Sequence, residues 1–212
     1  MGCDIHLMVE VKDKETMIWE EYDVADKLLN FIGRNYKLFS ILADVRNGVG
    51  FANVDIGDKF VPIDYPRGIP KDASQSYLAY VEDFAIDGHS HSFFNLVELK
   101  EFDWYGQKNK HRGFMSQEVY TEYKRTGEIV RYVGGVSGAN IKKISNQAME
   151  EIIKNKSMPD KEETYYTNVE WEQSYYISAA SFVDNVIPAL EKISEDFRCS
   201  NEEVRIVFFF DD

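Results

Sequence analysis

The chain closes on Val204-Arg205-Ile206-Val207-Phe208-Phe209-Phe210-Asp211, a run in which apolar residues follow one another almost without interruption. A strand with one wet face alternates; a strand that does not alternate suits a central position covered on both faces. The opening of the chain reads differently. From Asp4 to Lys12, Ile5, Leu7, Val9 and Val11 face one way and Asp4, His6, Met8, Glu10 and Lys12 the other. We expect these first and last strands to be neighbours in a mixed sheet with helices packed on it. That is an α+β fold, read as one domain over residues 1–212.

Between them the pattern supplies both element types. Residues 17–24 form a second strand candidate, hairpinned to the first across Lys12-Asp13-Lys14-Glu15. Residues 36–45 have helical spacing with Asn35 as cap. The stretch 48–70, broken by Gly48, Gly50, Gly57, Gly68, Pro62, Pro66 and Pro70, reads as a long loop of the kind that carries function or moves. Helix resumes from Asp72 with a stripe of Tyr77, Tyr80, Val81 and Phe84. A further helix spans 116–126, capped by Ser116 and stopped by Gly127, with a short strand over 128–133. Gly134-Gly135-Val136-Ser137-Gly138 leads into a helix carrying Ile141, Ile144, Ala148 and Ile152. Residues 155–163 read as a surface loop and 168–177 as extended. A last helix starts at Ser181 and is kinked by Pro188.

With 212 residues, 44% hydrophobic and 14 Phe, 13 Tyr and 3 Trp, the chain can build a core without cofactor or disulfide staples. Against 37 Asp plus Glu stand 24 Lys plus Arg, a net charge of -13, and no segment gathers the basic residues. Direct binding to a nucleic-acid backbone, which needs a cationic face, is disfavoured. Cys3 and Cys199 lie far apart, which excludes a zinc ribbon or redox pair and fits a reducing cytoplasm. No run approaches 18 apolar residues and no signal segment opens the chain, so we expect a cytoplasmic protein without a membrane partner.

Two polar clusters carry candidate chemistry. In the first strand Asp4, His6 and Glu10 share a face, either as a metal-binding or proton-transferring row or as a polar, solvent-facing side. In Asp87-Gly88-His89-Ser90-His91-Ser92, an extended backbone puts Asp87, His89 and His91 on one face, where paired imidazoles can ligate one metal; the alternative is a locally hydrogen-bonded polar turn. This run resembles the first metal-binding motif of the polymerase and histidinol phosphatase family. The resemblance covers six residues, and that family's longer fold and further histidine ligands do not carry over. Joining the clusters gives a divalent metal site of Asp4, His6, His89 and His91, holding zinc, manganese or iron, with Glu10 or Asp87 as general base. Arg46, Asn47 and Arg67 bracket the long loop and suit a phosphate or carboxylate, although a structural ion pair competes for the arginines. The glycine stretch at 134–138 lacks a Walker or dinucleotide pattern and reads as a turn. Cys3 could ligate or attack, but a small buried thiol is the commoner fate.

Several blocks together resemble a group of phage and prophage proteins. They are Met1-Gly2-Cys3-Asp4-Ile5-His6, Asn35-Tyr36-Lys37-Leu38-Phe39 through Val45-Arg46-Asn47, Arg67-Gly68-Ile69-Pro70, Gly88-His89-Ser90-His91-Ser92 and the closing run. The resemblance implies a viral or prophage origin, a bacterial host cytoplasm and a shared architecture, and supplies no catalytic residues. Two function classes remain in view. One is a metal-dependent hydrolase acting on a phosphoester or nucleotide, with a small phosphorylated ligand as its partner. The other is a non-catalytic accessory protein that binds and inhibits a host protein or sequesters a small ligand. Paired histidines and carboxylates are more specific than net negative charge, which favours the first.

Overall fold

The computed structural model describes residues 2–49, 59–156 and 162–212. The expected loops at 48–70 and 155–163 therefore lie partly outside the described residues. The α+β class holds, and the chain, read from sequence as one domain, divides into two compact units, each with its own sheet. The first unit comprises the described residues 2–49 with Lys59–Asn109 and Ser174–Asp212, and the second centres on Lys110–Gln173.

The first unit is built on a four-stranded sheet of order β2-β1-β7-β3, from β1 (Asp4–Lys12), β2 (Trp19–Tyr22), β3 (His89–Asn95) and β7 (Val204–Asp211). All three pairings are antiparallel. The expected adjacency of the first and last strands is observed, with Asp4 opposite Asp211 and Val11 opposite Val204. The apolar run of β7 explains its interior place: Val204 to Phe210 are all buried. Pleating divides them between two cores. Val204, Ile206, Phe208 and Phe210 join Ile5, Leu7, Val9 and Val11 in the larger one. Val207 and Phe209 join Met8 and Tyr77 on the other face.

Helices cover both faces. The larger core takes Leu28 and Ile32 from α1 (Ala25–Ile32), Leu38, Phe39, Ile41, Leu42 and Ala43 from α2 (Tyr36–Ala43), and Leu96 and Leu99 from α4 (Leu96–Glu101). It also takes Ala179 from α7 (Tyr175–Ser181) and Leu190 and Ile193 from α8 (Ile187–Phe197). The opposite face is closed by α3 (Gln75–Phe84) through Tyr77, Tyr80, Val81 and Phe84. The side of β1 carrying His6 and Glu10 is therefore covered, where alternation also allowed a solvent-facing strand side. Asn35 caps α2 as its sequence predicts, accepting from the Leu38 N–H, while α3, expected from Asp72, starts at Gln75 behind Ser74, which accepts from the Tyr77 N–H. Between α7 and α8, Phe182–Val186 form a π turn just before Pro188. Proline has no N–H and its ring crowds the carbonyl four residues back, and a widened turn accommodates both.

The second unit has a three-stranded sheet of order β4-β6-β5, from β4 (Lys108–Ser116), β5 (Ile141–Ile144) and β6 (Thr164–Ser174). β5 and β6 run parallel, with α6 (Asn146–Asn155) between them in sequence. Met115, Tyr120, Met149, Ile152, Tyr165, Val169 and Trp171 form its core. Helix α5 (Gln117–Thr126) has the Ser116 cap and left-handed Gly127 that its sequence predicts. Two expectations are corrected. The helix expected from Ile141 starts only at Asn146, because Ile141–Ile144 pair with Thr164–Thr167 and Ser145 provides the cap of α6. The expected strand at 128–133 is reduced to one bridge, Val133 to Phe114.

Candidate metal centre

Strand order brings three ligand types to one end of the first sheet. β7 lies between β1 and β3, with Asp4 opposite Asp211 and His89 opposite Phe210. Cys3 just before β1, Asp212 just after β7 and His89 at the start of β3 consequently converge. One ligand atom from each lies within 4.8 Å of the others, and the group could hold a metal ion. Thiolate, imidazole and carboxylate together suit a divalent transition metal with coordination positions left for water or substrate. The imidazole is poised for this. Its Nδ1 lies 2.9 Å from Ser90 Oγ, while its Nε2 is buried without a hydrogen-bond partner. In the tautomer whose Nδ1–H donates to Ser90, Nε2 carries the lone pair that a metal ligand needs.

The electrostatics are those of a site filled by an internal cation. Burial, reinforced by the neighbouring Asp212 carboxylate, pushes the Cys3 thiol up to about 11, against an opposing hydrogen bond from Arg46. Burial also pushes Asp212 up, but the hydrogen bond and charge of Arg46 outweigh it and hold the carboxyl below its ordinary range. Near neutral pH the thiol is protonated, so a metal ion taken up there releases its proton. Arg46 Nη2 lies 2.6 Å from Asp212 Oδ1, and its guanidinium sits 5.9 Å from the Tyr36 ring centroid. The Tyr36 hydroxyl accepts from the Cys3 N–H at 3.2 Å. A cleft of about 340 Å³ opens beside the group, lined by Asp44, Arg46, Pro66, His89, Ser90 and Asp212 among others.

This is not the ligand set read from the sequence. His89 and His91 do not share a face, because the register of β3 against β7 shifts between His89 and Ser92 and Ser90 takes a left-handed φ of 53°. The bulge offsets the alternation. His89 packs on Phe210 at 6.2 Å between centroids, His91 on Phe209 at 5.1 Å. His6 stacks on Phe209 from β1 at 4.9 Å, with Nδ1 2.9 Å from the Tyr80 hydroxyl and Nε2 3.3 Å from Asp211 Oδ1. Burial lowers the His91 imidazole, against a hydrogen bond to the Gly88 backbone that favours its protonated form.

The remaining predicted residues have structural partners. Asp4 takes a bidentate pair from Arg34, both contacts at 2.5 Å. Glu10, with no accessible surface, accepts from Arg205 Nε at 2.7 Å and the Ser74 N–H at 2.8 Å, which removes it as a general base. Asp87 is exposed in the turn after α3, its N–H donating to the Phe84 carbonyl, and has no part in the group. Arg67 ties Asp64, Glu98 and the Phe93 carbonyl together over the Phe94 ring. The Asn47 side chain bridges Asp44 and both backbone groups of Phe60. Of the candidate ligand-binding residues, Arg46 alone stands at the metal group.

Local sequence patterns do not single out Asp212, and they give Cys3 no place in the ligand set. A signal for both exists all the same: antiparallel pairing of the first and last strands puts the residue before one next to the residue after the other. Among the described residues no helix is long and apolar enough to cross a membrane. No family model, curated protein or solved structure matches the chain.

Proposed function

We propose that this chain is a metal-dependent hydrolase acting on a phosphoester or nucleotide, serving a phage or prophage as an accessory protein in its host's cytoplasm. The observation that carries the reading is the convergence of Cys3, His89 and Asp212 beside an open cleft, with His89 Nε2 buried and without a hydrogen-bond partner. Zinc suits this donor set best, ahead of iron and manganese, because a thiolate and an imidazole are softer donors than oxygen. An ion held there supplies Lewis acidity toward a phosphoryl oxygen and acidifies water. In the net reaction water oxygen bonds to phosphorus, the ester P–O bond breaks and the leaving oxygen keeps a proton. Ser90 fixes the imidazole and Arg46 provides the positive charge at the cleft wall.

Elemental analysis of protein purified without an affinity tag tests the site. Near-stoichiometric metal, lost in Cys3→Ser and in His89→Ala but kept in His91→Ala, supports it; a chain that carries no metal and takes up no zinc, manganese or iron refutes it. Loaded protein that hydrolyses no phosphomonoester, phosphodiester or nucleotide refutes the hydrolase while leaving the metal site intact. A second reading, stoichiometric sequestration of a small anionic ligand, is favoured by the placement of Glu10 and Asp87 away from the group. Under it the ligand is recovered chemically unchanged.

A further inference from the structure

Arg46 stands where it must compete with any cation. Its Nη2 is 2.6 Å from Asp212 Oδ1, so the guanidinium engages one of the three candidate ligands and lies beside a second, Cys3, which pairs with Asp212 in the same group. The root of the side chain is fixed: Arg46 follows α2 with a left-handed φ of 54°, and its head lies against Tyr36. The side chain is 15% exposed and borders the cleft. A divalent ion taken up by Cys3 and Asp212 neutralises the carboxylate that held the guanidinium, so the attraction that fixed Arg46 there is lost.

We propose that Arg46 is an exchangeable counter-ion: metal uptake displaces it from Asp212, and the released guanidinium and the ion together form a binding site for a small tetrahedral oxyanion such as phosphate. The inference rests on Cys3, His89 and Asp212 binding a divalent ion, and it names the ligand class of that same site. The arginine fork matches two oxygens of such an anion, the ion takes a third, and the Ser90 hydroxyl lines the same cleft. Metal and oxyanion then bind with positive coupling, each raising the other's affinity by the same factor. Arg46, although it supports the filled site, opposes the entry of metal alone.

The test is calorimetric titration of the full chain with zinc alone, inorganic phosphate alone, and each in the presence of the other. Phosphate is expected to bind at least tenfold more weakly without zinc, with zinc affinity raised by the same factor at saturating phosphate. In Arg46→Met zinc alone should bind roughly fivefold more tightly, the size of a partly exposed ion pair removed, and the coupling should fall close to one. Arg46→Lys, which keeps a point charge without the fork, should retain part of the coupling and serves if Arg46→Met does not fold. If Arg46→Met binds zinc no better than the unaltered chain, or phosphate ignores zinc, the counter-ion role is overturned while the metal site stands. If the unaltered chain takes up no zinc, the metal reading itself falls, and this inference with it.

Discussion

The two faces of one sheet, at the same end, treat histidine differently. On the side of Phe209, His6 and His91 lie against the same phenyl ring beneath α3, and His6 is engaged by Tyr80 and Asp211. On the side of Phe210, His89 has one nitrogen anchored by Ser90 and the other unclaimed, with a thiol and a carboxylate within ligand distance. Composition does not separate the two, since both faces hold imidazole, carboxylate and phenylalanine. Pleat parity does. Successive residues of β7 point to opposite faces, so Asp211 reaches His6 while Asp212 reaches the Cys3 group. His6 Nε2 and His91 Nδ1 on the covered face are buried without a hydrogen-bond partner as His89 Nε2 is, so what sets the open end apart is the thiol and carboxylate beside His89.

The comparison can be broken by showing that polar groups beneath α3 act as anything other than structure. Glu10→Gln should have the largest effect. It leaves Arg205 buried with its charge reduced to a largely exposed partner, Asp72, at a cost of about 3–5 kcal/mol read by denaturant unfolding, with metal content per folded chain unchanged. On the open side, Cys3→Ser and His89→Ala should each lower zinc affinity by about a hundredfold or more, while His91→Ala leaves it within about twofold. Equal losses for His89 and His91 would erase the difference between the faces. Ser90→Ala should cost about tenfold in zinc affinity by releasing the imidazole from its anchor, with the site still formed.

The smallest effect concerns acid stability. Burial raises the Asp72 carboxyl, but the hydrogen bond and charge of Arg205, with the Trp19 indole N–H, bring it below its ordinary value. A carboxyl depressed in the folded state contributes stability that is complete above its unfolded pKa and lost as pH falls through the folded value. The Asp72 side chain is largely exposed, which keeps the contribution below about 1 kcal/mol. Asp72→Asn should therefore flatten the loss of thermal stability below about pH 4 and leave the curve above about pH 5 parallel to that of the unaltered chain. An acid limb as steep as before would place that sensitivity elsewhere.

How far the sequence reaches differs between fold and site. β1, β7 and helices α2, α3 and α5 are legible because each rests on a local pattern: alternation, an unbroken apolar run, an apolar stripe at helical spacing in α3, or an amide or hydroxyl at the cap in α2 and α5. β5 reads as helix because Ile141 and Ile144 fit a helical spacing as well as the pairing with β6 that prevails. In the candidate site, the His-Ser-His run is a correct place to look, and its strand parity is the error. A left-handed Ser90 and a register shift reverse the face of every residue beyond them, and no periodicity in six residues announces a bulge.

By itself the sequence determined that the chain builds an aromatic-rich α+β core around a terminal strand with no wet face, next to the opening strand. Those are consequences of side-chain apolarity and local spacing, which act before any long-range contact forms. Only the tertiary structure decided that Cys3, His89 and Asp212 meet, that Glu10 is committed to Arg205 and that Arg46 holds Asp212. These choices depend on register and on one bulge, to which residue order is blind until the strands are paired.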